Sequence, residues 1–294
     1  MNISRFTKHI TPYLYQLPSI VLLSILMVIP IITVFRYSLY DNVIMKKNPR
    51  FLGIDNYIKL FENETFWISL YNTFYFTFFS LFFHLLLGMI FALLLNYSGL
   101  NIVIKSIFRV IYILPWLFTA TIIAIMWRLL LDPSGIINYI LQYLSIIEDN
   151  IEWFSSTDTA LNAVTFVNIW AGYPFYMVSL LAGLQGVPKD LYEASDIDGA
   201  NVFQQFLHVA LPHLKPIILT ILLLDFIWTM QVFPLVWMTT GGGPIYTTEM
   251  LGTFTYKLAF TKYKFSLASA SAFITLIITI GISIFYIRKQ ITKV

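Results

Sequence analysis

The sequence predicts an all-α, polytopic membrane protein with about six membrane-spanning helices, and three observations carry that expectation. Charged residues are only 11% of the 294, while 58% are hydrophobic; a soluble domain carries roughly 25% charge, because its surface must face water. Mean hydropathy is +0.76. The apolar residues gather into charge-free stretches of the ~20 residues needed to cross a ~30 Å hydrocarbon core. Lipid is then the solvent. Backbone groups in hydrocarbon must be satisfied within their own segment, so the stretches are helices and not open sheet.

The first span, about 12–35, lies between His9 and Arg36. It is longer than a signal-peptide core and lacks a small-residue cleavage site, so it reads as a retained helix. The second, about 70–95, centres on the aromatic run that begins at Phe74. The third, about 108–131, contains Pro115, which bends or starts it. The fourth covers about 160–184; the fifth, about 216–238, is interrupted by Asp225; the sixth covers about 266–287. The remaining residues suffice for short loops, so 1–294 is expected to form a single transmembrane domain with no further span before the first.

Several chemistries are not signalled. Cys is absent, which removes disulfides, thiolate ligands and cysteine nucleophiles. There is no basic cluster of the kind nucleic acid requires. The sequence has no Walker A Gly-Lys-Ser/Thr, no His-Glu-x-x-His and no Gly-x-Ser-x-Gly. His208 and His213 lack the companion ligands of a metal site, and only His84 and Asp225 are ionisable deep within spans. That is too little for an intramembrane enzyme. An even span count puts both termini on one side, but Lys and Arg divide evenly between the two sides, so charge alone leaves the orientation open.

One interhelical segment, 190–212, is polar and helical in pattern. Glu193, Ala194 and Ser195 lie in a short acidic helix, Gly199 and Ala200 mark a break, and an amphipathic stretch through Phe203 and Phe206 leads to Leu211-Pro212. A helix-turn-helix on the membrane surface is a docking knob for another protein. This segment resembles the EAA loop of ABC importer permeases: Glu-Ala-Ala, three residues, Gly, nine residues, then Ile-x-Leu-Pro. Ser195 replaces the second Ala and Val209 the Ile. The resemblance extends over most of the chain. Phe51-Leu52-Gly53, Asn56-Tyr57 and Asn72-Thr73 fit the carbohydrate-uptake branch of that family. So do Asp132-Pro133 with Gly135, Pro174-Phe175-Tyr176, Ala182-Gly183-Leu184-Gln185 and Thr240-Gly241-Gly242-Gly243-Pro244.

The resemblance implies a type I ABC importer permease fold and a non-enzymatic subunit that moves a sugar, an oligosaccharide being the expected cargo, across the bacterial cytoplasmic membrane. It implies a second homologous permease and two copies of a cytoplasmic ATPase that bind ATP and Mg. It also implies an extracytoplasmic sugar-binding protein, cytoplasmic termini, and a docking loop formed by Glu193, Ala194, Ser195, Gly199, Ala200, Leu211 and Pro212. A polyol or glycerol phosphate cargo is the alternative. A secondary transporter would leave the Glu193–Pro212 pattern unexplained.

For the cargo, a sugar site wants aromatic faces and a few polar groups in a mostly apolar cavity. Asn168, Gly172 and Phe175 recur at helical spacing on the fourth span, as do Asp225, Thr229 and Val232 on the fifth, with Trp228 beside them. A carboxylate inside a span is costly and faces a cavity or a partner, so Asp225 is the leading polar contact or else half of a charge pair with the partner subunit. Gly172 is equally a helix-packing residue and Phe175 equally a core residue. The six positions also match sugar-contacting positions of maltose permeases in the family. Asp225 and Val232 depart from the residues found there, which implies a different sugar.

Overall fold

The computed structural model describes residues 13, 15–97 and 99–291, with side chains to Arg288, so positions 12 and 14 of the first span lie outside the described residues. The chain divides into two compact units, one of Met1–Asn63 with Thr255–Ile277 and one of Glu64–Phe254 with Ile278–Val294.

In the first unit, α1 spans Tyr15–Ser38 and contains a π-helical turn at Ser24–Val28. A loop then leads to α2, Asp55–Phe61. Asn56 is buried because its amide ties this loop down, donating to the carbonyls of Ser38 at 2.8 Å and Tyr40 at 2.9 Å. Asn42 does the same for the stretch before α12, Phe265–Ile291: its Nδ2 donates to the Tyr263 carbonyl and its Oδ1 accepts from the Phe265 amide. In this loop Lys46 pairs with Asp41 and holds its carboxyl below the usual carboxylate range.

The second unit is built on α3, Glu64–Asn96, and α7, Ala160–Gln185, which make the most extensive helix pair of the fold. At ~1.5 Å per residue, the 33 residues of α3 exceed the hydrocarbon thickness. The third expected span is not one helix. It is α4, Ile102–Ile113, a 3₁₀ turn at Leu114–Leu117 that contains Pro115, and then α5, Ala120–Leu130, with the two limbs bent by 101°. Pro115 supplies no N–H, Phe118 is extended, and the Thr119 hydroxyl caps α5 by accepting from the Ile122 amide. The long apolar helices number five among the described residues, or six with this bent pair as one span.

Beyond α5 lies α6, Ile136–Tyr143, held by one buried amide. Asn138 Nδ2 donates to the carbonyls of Asp132, Pro133 and Ile151, while its Oδ1 accepts from the Ile151 amide and the Trp153 indole. After α7 come α8, Lys189–Ile197, and α9, Val202–Met230, with a π-helical turn at Phe206–Ala210.

The fifth span therefore differs from its expected bounds at both ends. Helix already runs from Val202, so Leu211-Pro212 sits inside a continuous helix, where the π turn accommodates the missing N–H of Pro212. At the other end helix stops at Met230, because Pro234 disfavours helical backbone at Phe233 (φ −135°, ψ −59°) and starts a separate helix, α10, Pro234–Thr239. Helix α11, Leu251–Tyr256, runs into a further π-helical turn at Lys257–Thr261.

Candidate functional site

The charged group inside the fifth span is partnered within its own chain. Asp225 is only 7% exposed. Its Oδ2 lies 2.8 Å from Nδ1 of His84 on α3 and accepts from the Tyr176 hydroxyl on α7 at 2.9 Å; its Oδ1 accepts from Thr229 at 3.0 Å. The other ring nitrogen, Nε2 of His84, lies 3.0 Å from the backbone carbonyl of Asn168, and the Asn168 amide donates to Ser80 Oγ at 2.9 Å. Three helices thus converge on one buried polar cluster. Gly172 belongs to it by default: a Cβ there would fall 2.3 Å from His84 Nε2, so only glycine leaves room for the ring.

Four of the six positions expected to touch cargo, Asn168, Gly172, Asp225 and Thr229, are therefore occupied with one another or with His84, Tyr176 and Ser80. Phe175 faces a different environment. Its ring lies 5.5 Å from Trp228, 6.2 Å from Trp116 and 5.9 Å from Tyr176, and Trp228 is 58% exposed. This is the aromatic surface the site offers. Val232 does not continue the helical face of Asp225 and Thr229, because α9 ends at Met230 and Val232 lies in the break. Sequence reasoning had His84 in view as an intramembrane residue without joining it to Asp225. It missed Tyr176 and Ser80. The available signal was that a lone histidine and a lone carboxylate inside spans both need a partner.

The second candidate surface is the 190–212 segment. Glu193, Ala194 and Ser195 lie on α8, whose end is closed by a Schellman motif. Gly199 adopts φ +76°, its amide donates to the Asp196 carbonyl, and the Ala200 amide donates to that of Ser195. Nothing lies within 4 Å of where a Gly199 Cβ would point, so glycine is required by the backbone and not by crowding. Asn201 and Gln204 then form a capping box for α9, with bonds of 2.9 and 2.8 Å. Gln205 reaches back to Asp196, which ties the two helices together. Ile197, Val202 and Phe203 form a strongly exposed apolar tip. At the base, Ala210 and Leu214 are buried with Leu180 and Leu184 of α7, and partial burial pushes the Tyr192 hydroxyl up. Leu211 is half-buried and Pro212 exposed.

Comparison with known proteins identifies the family. Residues 84–292, which include His84, the 190–212 segment and Asp225, match the model of the family described as binding-protein-dependent transport system inner membrane component. A probable ABC transporter permease protein of Brucella suis biovar 1 (strain 1330) is 35% identical over 278 residues, 94% of this chain and 95% of that one. The trehalose/maltose transport system permease protein MalF of Thermococcus litoralis is 32% identical over 280 residues, 94% and 92% of the two chains. In fold, the chain matches a bacterial ABC transporter involved in the import of the acidic polysaccharide alginate, with a TM-score of 0.83 over 98% of both chains at 21% identity. The chain therefore belongs to the inner membrane components of binding-protein-dependent transport systems, the multi-pass permease subunits of ABC importers.

Proposed function

We propose that this permease moves a sugar, and that Phe175 with Trp228 forms the cargo-facing surface while Asn168, Gly172, Asp225, Thr229 and Val232 shape it from behind. The observation that carries the reading is the likeness along nearly the whole chain to a trehalose/maltose permease, supported by an aromatic pair, exposed Trp228 against half-buried Phe175, of the kind that stacks on sugar rings. The whole of 1–294 acts as one permease domain, paired with a second homologous permease, two ATPase subunits and an extracytoplasmic binding protein. The docking residues Glu193, Ala194, Ser195, Gly199, Ala200, Leu211 and Pro212 meet the ATPase, which puts both termini in the cytoplasm and Thr240–Pro244 outside. A glycerol phosphate cargo is the second reading, favoured by 27% identity over 285 residues to the sn-glycerol-3-phosphate permease UgpA of Yersinia pestis.

The test is uptake into proteoliposomes that hold the chain with its partner subunits. ATP-dependent accumulation of one of a panel of labelled oligosaccharides that includes maltose and trehalose, and none of glycerol 3-phosphate, is expected. The opposite preference overturns the cargo reading, and uptake that ignores ATP overturns the machine. Because the chain has no native Cys, single cysteines test the orientation without background. An impermeant thiol reagent added to intact cells should mark a Cys at Thr247 and spare one at Asn201; the reverse pattern puts the docking segment outside.

A further inference from the structure

We infer that His84 and Asp225 form a charge-neutral clamp that fixes the last turn of α9 onto α3 and α7 and thereby positions the Phe175–Trp228 aromatic pair. The role given to that pair rests on the sugar reading; the clamp itself does not. Its chemistry follows from the acceptor on the far side of the ring. The Asn168 carbonyl can only accept, so His84 Nε2 carries a hydrogen and donates. One further proton then lies between Nδ1 and Asp225 Oδ2. On the nitrogen it makes an imidazolium facing a carboxylate; on the oxygen it makes a neutral imidazole facing a carboxylic acid. The pair has no net charge in either case, which is the condition under which ionisable groups are tolerated inside a bundle.

The position of the clamp gives it a task. Asp225 is one turn from Trp228, and Tyr176, which donates to the same carboxylate, adjoins Phe175. Just beyond, α9 ends at Met230 and α10 begins only at Pro234, so the turn that presents Trp228 borders a break in the helix. His84 and Asp225 are thus positioning residues that act through the aromatic pair.

Neutrality predicts an asymmetric response to substitution. In Asp225→Asn the amide nitrogen takes the place of Oδ2: one N–H replaces the shared proton and donates to a neutral His84 Nδ1, the other donates to the Tyr176 hydroxyl, which turns from donor to acceptor, and the amide oxygen still accepts from Thr229. His84→Gln keeps a donor toward Asp225 but leaves a buried carboxylate without a counter-charge. His84→Gln with Asp225→Asn is neutral again. The readout is cross-linking of Phe175→Cys to Trp228→Cys, whose native rings lie 5.5 Å apart, by a bifunctional maleimide long enough to span the space of the two lost rings, in the assembled transporter without cargo. Cross-linking and recovery of the complex should be near the parent level with Asp225→Asn. They should fall about ten-fold or more with His84→Gln and return in the double variant. The clamp is overturned by an Asp225→Asn loss as deep as that of His84→Gln, by no loss in His84→Gln, or by a double variant that stays as poor as His84→Gln. Where His84→Gln fails to assemble at all, recovery or non-recovery of the double variant still decides. Loss of sugar uptake with normal cross-linking counts against the cargo reading alone.

Discussion

The docking segment and the buried polar cluster meet the same demand in opposite ways. Both must hold a fixed shape at a helix end, the one at the junction of α8 and α9, the other at the last turn of α9. The 190–212 segment does so with local chemistry: a Schellman motif at Gly199, a capping box from Asn201 to Gln204, and the Gln205–Asp196 bond nine residues apart. The cluster does so with groups far apart in sequence, His84, Tyr176 and Asp225, on three helices that lipid surrounds. Local hydrogen bonds suffice where water can satisfy whatever is left over. Within hydrocarbon every polar group needs a partner, and no local residue could supply one to Asp225 beyond Thr229.

Substitutions can break that contrast. The largest effect is expected from Gly172→Ala, whose Cβ would meet the His84 ring at 2.3 Å. Overpacking at such a site costs about 1–3 kcal/mol, and displacing the ring also exposes the charge pair. Recovery and thermal midpoint of the complex should drop clearly; an unchanged midpoint would show that the ring can move aside freely. Next comes Gly199→Val, where left-handed backbone costs an L-residue about 1–2 kcal/mol and β-branching adds to it. Sugar-stimulated ATP hydrolysis should fall about ten-fold while the membrane helices keep their stability, and Gly199→Asn should be milder because Asn tolerates that conformation. Normal coupling in the Val variant would sink the docking role. The smallest effect belongs to Asn201→Ala, which removes one cap worth about 1 kcal/mol and should weaken ATPase binding only slightly in a pull-down titration.

The same contrast explains what the sequence could reveal. The turn at Gly199 and the two helices around it are legible because each device is local and has a characteristic residue at a fixed spacing. Spans are legible because hydrocarbon admits few charges, and Pro115 rightly announces a bend within the third. The break after Met230 was signalled by Pro234 but was masked by the apolar run on either side, which reads as one continuous span. Reading Asp225, Thr229 and Val232 as one helical face failed for that reason. The partner of Asp225 was beyond periodicity altogether: helical spacing says which residues share a face, not which face another helix presents to it. Only the close packing of α3 against α7, permitted at Gly172, brings His84 within 2.8 Å of the carboxylate.

The neutrality of the His84–Asp225 pair has a bearing on energetics at the scale of the whole cell. An elementary charge carried across the membrane couples to the resting potential with about 2.3 kcal/mol per 100 mV, so a lone Asp225 riding on a moving helix would make each transport cycle sense the voltage. A pair that shares one proton carries no net charge, and helix movements that keep it intact draw no work from the electric field. As far as this pair is concerned, such movements cost the same in an energised and a depolarised cell.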